Sequence, residues 1–93
     1  MKYEMLYLID SSVSDEGKDA LVSKFETIVS DLGGKVLSTD KWGTKKLAYP
    51  INYKTDAYYV LMTFDANGDA VKELDRIAGI TDEVVRRMIT KAH

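Results

Sequence analysis

Residues 57–64, AYYVLMTF, constrain this chain more than any other stretch. Tyr58, Val60, Met62 and Phe64 alternate with Tyr59, Leu61 and Thr63, so a β-strand here is apolar on both faces. Lys2–Asp10 behaves the same way, with Tyr3, Met5, Tyr7 and Ile9 on one side and Glu4, Leu6 and Leu8 on the other. Strands of this kind belong in the middle of a sheet, where both faces can be covered. A chain of 93 residues that is 45% hydrophobic and 30% charged can close one modest core around them. The expectation is one domain over residues 1–93.

Between the two strands, Leu21, Phe25, Ile28, Val29 and Leu32 recur at helical spacing. Ser14 is placed to cap that helix, Asp15 and Glu16 suit its positive end, and Gly33-Gly34 stops it. Lys35–Trp42 predicts a second strand, bent near Gly43 and extended again through Lys45–Ile51. Pro50 lacks an N–H and so fits a sheet edge or strand end. Asn52–Asp56 reads as a turn. Val71, Leu74, Ile77 and Ala78 give a shorter helix ending near Gly79, and Val84–Lys91 a last strand. The order is β-α-β-β-α-β, an α+β ferredoxin-like split βαβ fold. It places two helices on one face of a four-stranded antiparallel sheet and leaves the other face open.

Much chemistry is excluded. There is no cysteine, hence no disulfide or thiol reactivity. His93 is the sole histidine and sits at a frayed end, so no metal set and no Ser-His pair can be assembled. Asp65–Asp69 superficially resembles a calcium loop, but its glycine is misplaced and Arg76 stands where a bidentate Glu is needed; a helix-entry turn is the better reading. Acylphosphatases share the topology, yet their glycine-rich anion loop is missing. The expectation is a non-enzyme without cofactor or metal. Glu4 and Asp10 interrupt the first apolar stretch, and no run nears the ~20 residues of a membrane helix. A soluble, cytosolic protein follows, with no membrane and no small-molecule substrate.

Charge is distributed in blocks. Residues 41–54 hold four lysines and no carboxylate, and residues 84–93 hold Arg86, Arg87 and Lys91 and no carboxylate. The rest of the chain is acidic, which brings the formal net charge to −2. Because fields are screened beyond about 8–10 Å, the blocks matter more for partner choice than the total. Both fall on the sheet's edge strands, where lysine either blocks aggregation or meets phosphate. Neighbouring Arg86 and Arg87 favour phosphate, although one of the two must point towards the helices or the rim. Meanwhile Leu6, Leu8, Tyr59 and Leu61 turn away from the helices, offering an apolar docking patch. The reversed register, with Tyr3, Tyr7 and Tyr58 outward, stays open.

Lys2-Tyr3-Glu4, the run Gly43-Thr44-Lys45-Lys46-Leu47-Ala48-Tyr49-Pro50-Ile51, the tyrosine-rich third strand and Val85-Arg86-Arg87-Met88 together resemble the bacterial small-subunit (30S) ribosomal protein six family. The resemblance covers essentially the whole chain. It implies a ferredoxin-like structural protein of the cytoplasmic ribosome that binds the central domain of 16S ribosomal RNA, in the platform, with small-subunit protein eighteen. It carries over Lys2, Lys45, Lys46, Arg86 and Arg87 as RNA contacts, to which the basic blocks add Lys41 and Lys91. Tyr49, Tyr59 and Leu61 become partner contacts, to which the facing argument adds Leu6 and Leu8. Leu61 stands where some relatives have a larger aromatic. Two rivals remain: a stand-alone single-strand RNA binder resembling an RRM, which lacks that motif, and a ferredoxin-like small-molecule regulatory module.

Overall fold

The computed structural model describes residues 1–51 and 53–92. Asn52, in the expected turn, and His93, the expected frayed end, lie outside them. Six elements follow in the anticipated order: β1 (Lys2–Asp10), α1 (Asp15–Asp31), β2 (Lys35–Ile51), β3 (Lys54–Asp65), α2 (Gly68–Gly79) and β4 (Val84–Lys91). The strands pair antiparallel in the order β2-β3-β1-β4. The doubly apolar β1 and β3 are therefore central, and the lysine- and arginine-bearing β2 and β4 are the edges. This is the ferredoxin-like arrangement.

Local chemistry fixes the helix ends. The Ser14 hydroxyl accepts a hydrogen bond from the Gly17 N–H at 3.0 Å, satisfying one of the orphan donors of α1. Gly33, at φ 83°, takes the left-handed conformation that ends the helix, as only glycine does cheaply. The Asn67 side chain accepts from the Ala70 N–H at 2.8 Å, so Asn67-Gly68-Asp69 is a helix entry and α2 starts earlier than its apolar spacing suggests.

Both helices bury their apolar stripes on one sheet face. Leu21, Phe25 and Val29 of α1 and Leu74 and Ala78 of α2 meet Met5, Tyr7, Ile9, Val60, Met62 and Phe64. The Phe25 ring stands edge-on to Tyr7 at 5.0 Å between centroids. Tyr7 is fully buried, which decides the facing in favour of Leu6, Leu8, Tyr59 and Leu61 on the opposite side. Its hydroxyl finds no partner among the described residues, and burial, reinforced by Glu26 and Tyr58, holds its pKa well above the usual phenol value.

β2 runs from Lys35 to Ile51 through Gly43, where a bend was expected. Its register against β3 shifts three times: between Val36 and Ser38, Lys41 and Gly43, and Lys46 and Ile51. Gly43, at φ 88°, absorbs the second shift as a bulge opposite Tyr59. At the third, Lys46 pairs with Asp56 and Ile51 with Lys54, so Leu47–Pro50 are in excess over the single Thr55. Pro50, without an N–H, sits where no ladder bond is required. Tyr53, at φ 65°, turns the chain into β3.

Polar contacts tie the root of this hairpin to the end of β1. Lys54 pairs with Asp10 at 2.7 Å, Asp10 also accepts from the Ser12 amide and hydroxyl, and the Ser11 hydroxyl reaches Asp56 at 2.8 Å. The Lys54 hydrogen bond, followed by that of the Ser12 amide, lowers the Asp10 pKa to about 2.

Two outcomes are expected. Because the depressed pKa stabilises the fold above the ordinary carboxylate value and that benefit is lost as pH falls through about 2, Lys54→Met raises the Asp10 pKa. Solvent screening of the half-buried pair limits the cost at pH 7 to about 1 kcal/mol, and the gap to wild type closes near pH 2; side-chain carboxyl NMR and urea titrations across pH check both. Tyr7→Phe removes a buried donor that pays for nothing and leaves stability unchanged or higher by up to ~1 kcal/mol in urea denaturation.

Candidate nucleic-acid and protein interface

On the face away from the helices, β1 presents Glu4, Leu6 and Leu8, and β3 presents Tyr59, Leu61 and Thr63. Pairing brings Arg86 of β4 beside Leu8 and Met88 beside Leu6. The excess residues of β2 do not loop into solvent. Leu47–Ile51 form a strap across this face, and the Tyr49 hydroxyl accepts a hydrogen bond from the Arg86 guanidinium at 2.5 Å. Arg86 also lies 6.0 Å from the Tyr49 ring centroid. Since β2 and β4 are opposite edges, this single contact spans the sheet. Beneath it is a cleft of about 220 Å³ with Leu6, Leu8, Leu47, Tyr49, Tyr59 and Met88 among its walls.

The strap corrects the expectation of an uncovered face. Leu8, assigned to the docking patch, is only 5% exposed. Alternation along β1 gave its direction correctly but said nothing of a remote segment folding over it. Leu6, Tyr59 and Leu61 are half-buried, and Tyr49 is 56% exposed on the strap.

The seven candidate cations divide. Lys41 lies opposite Val60 on the helix side and pairs with Asp19 of α1 at 2.9 Å; the hydrogen bond to that carboxylate raises its pKa. Arg87 lies opposite Tyr7, also on the helix side, and pairs with Asp75 of α2 at 2.9 Å. Adjacent Arg86 thus points to the opposite face, as two neighbours on a strand must. Among the described residues no carboxylate pairs with Lys2, Lys45, Lys46, Arg86 or Lys91. Lys91 pairs with Tyr3 at the far end of β4, remote from Lys45 and Lys46 on the opposite edge. What the fold brings together is Lys45, Arg86, Tyr49, Tyr59 and Leu6.

Trp42 joins them, and the sequence reading assigned it no role. Its indole stacks on Tyr59 at 6.3 Å and 13°, and the Lys45 ammonium lies 5.0 Å from the indole centroid. Trp42 is 43% exposed and Met88 49%, large apolar side chains at the margin of the strap. No local pattern marked Trp42, whose stack depends on the bulge at Gly43, and Met88 figured only as the end of the Val85-Arg86-Arg87-Met88 run.

The family model described as Ribosomal protein S6 matches residues 2–91. The chain belongs to the ribosomal protein S6 family. It is 38% identical over 89 residues to the small ribosomal subunit protein bS6 of Caldanaerobacter subterraneus, covering 96% of this chain and 94% of that protein. The bS6 of Exiguobacterium sibiricum is 44% identical over 90 residues, covering 97% and 95%. The crystal structure of 30S ribosomal protein S6 from Thermotoga maritima superposes with a TM-score of 0.93 at 25% identity, covering 98% of this chain and 86% of that one. Membership in the S6 family makes the chain a structural, non-enzymatic constituent of the small subunit of the bacterial cytoplasmic ribosome.

If the strap covers Leu8 as described, Leu8→Ala costs about 2–3 kcal/mol, as for a buried core leucine, while Leu61→Ala costs under about 1.5 kcal/mol. Urea denaturation of both variants measures the difference, and equal small losses contradict the covered position of Leu8.

Proposed function

We propose that the chain binds the central domain of 16S ribosomal RNA, in the platform, together with small-subunit protein eighteen during subunit assembly. The observation that carries this reading is the adjacency of two surfaces. Lys45 and Arg86, without carboxylate partners among the described residues, border the half-buried Leu6, Tyr59 and Leu61. Phosphate and an apolar protein surface can be met at one seam. Lys46 extends this cationic margin, Lys2 and Lys91 offer cations at the other end of the sheet, and Tyr49 and the rim of the cleft extend the partner side. Lys41 and Arg87 contribute to the RNA side only if their carboxylate partners yield. With a formal net charge of −2, the chain alone binds RNA weakly, and a basic partner raises the local positive field. Contacts to phosphate and helix shape dominate such recognition.

Trp42 stacked on Tyr59 favours a second reading, in which single-stranded bases stack on this face without a protein partner. Quenching of the sole tryptophan by short oligonucleotides in the absence of the partner separates the two.

For the leading reading, binding of a 16S central-domain fragment is measured with and without the partner across salt. Neutralisation of about five phosphates by Lys2, Lys45, Lys46, Arg86 and Lys91 gives a slope of log affinity on log salt of roughly −3.5 to −4.5. Replacing Lys45 and Lys46 by Ala flattens it by up to about 2. A slope that does not change removes the lysine doublet from the interface.

A further inference from the structure

We propose that the Leu47–Ile51 strap is a latch, held by Tyr49 on Arg86, whose release frees the arginine and uncovers the apolar cleft in one step. The inference rests on the RNA-and-partner reading above and supplies its regulation. Three observations carry it. Leu47–Pro50 have no partners in β3, so opening breaks no ladder between Lys46 and Ile51. The contact between Tyr49 and Arg86 joins two exposed side chains on opposite edges of the sheet. Between the strap and the sheet lies a cleft of about 220 Å³, so the strap does not pack against the whole face beneath it.

The chemistry of Arg86 then couples the two partners. A guanidinium prefers an anionic phosphate to a neutral phenol hydroxyl. RNA phosphate at Arg86 displaces Tyr49, loosens the strap and exposes Leu8 and the Tyr59 ring to the partner protein. An apolar partner side chain entering the cleft displaces Leu47 and Tyr49 and returns Arg86 to the RNA. Each ligand favours the open state, so each strengthens the binding of the other by the same factor.

The test begins with a soluble paramagnetic probe on the full chain, read by methyl NMR. Tyr49→Phe keeps the ring and removes the hydroxyl; the opened share of the strap rises roughly threefold to tenfold and broadening of the covered Leu8 methyl signals rises with it, while the Met5 and Met62 methyl groups of the core are unmoved. Arg86→Met exposes the same Leu8 methyl groups. On the 16S central-domain fragment without partner, Tyr49→Phe binds about threefold to tenfold tighter and Arg86→Met binds weaker, an opposition that general loosening of the fold does not produce. The partner also enhances RNA binding less in Tyr49→Phe than in wild type. Leu8 methyl signals broadened no more in Tyr49→Phe than in the wild type overturn the latch. So does a Tyr49→Phe affinity no better than wild type while Lys45→Ala with Lys46→Ala still weakens binding, a result that leaves the RNA reading intact. Absence of RNA binding by the wild type, with and without partner, overturns that reading and the latch with it.

Discussion

Two central strands carry apolar side chains on both faces, and two helices can cover only one of them. The rest of the molecule answers this constraint. Met5, Tyr7, Ile9, Val60, Met62 and Phe64 take the helix side and form a closed core. On the other side Leu6, Leu8, Tyr59 and Leu61 remain, at about 25 cal/mol for every Å² left in water. The surplus residues of β2 answer part of that demand by folding across it, and Leu8 disappears beneath them. Leu6, Tyr59 and Leu61 stay half-covered.

The same division runs through the charges. Lys54 and Lys41 come from the acid-free segment, yet each finds a carboxylate elsewhere, on β1 and α1 respectively. Lys41 on Asp19 and Arg87 on Asp75 brace the two edges of the sheet against the helices, while Lys54 on Asp10 joins the central strands β3 and β1. Lys45 and Arg86, pointing to the opposite face, meet only rings: the indole of Trp42 and the phenol of Tyr49. Side-chain alternation along an edge strand therefore sorts one basic block into structural and available cations, even though the residues adjoin.

What could be read in advance was whatever local pattern decides. The period of two in Lys2–Asp10 and Ala57–Phe64, the apolar spacing from Leu21 to Leu32 and the caps at Ser14 and Gly33 gave the element order, the central strands and the helix-facing side. The opposed directions of Arg86 and Arg87 followed from the same rule. Two things were hidden because they depend on pairing between distant segments. The count of residues in β2 against β3 exceeds what a ladder can hold, and only the register shows where the surplus goes. Burial of Leu8 and the occupation of Arg86 by a tyrosine 37 residues away follow from that surplus. Trp42 was similarly invisible, since its stack on Tyr59 depends on the bulge at Gly43.

The interrupted ladder of β2 has a consequence for the protein before it meets a ribosome. An edge strand with an even run of open N–H and C=O groups invites a twin copy to zip alongside. Three shifts in register twist this edge out of line, and the lysines along it repel an identical neighbour. Newly made chains thereby resist fibrillar pairing along this edge even though part of their second face stays apolar and uncovered.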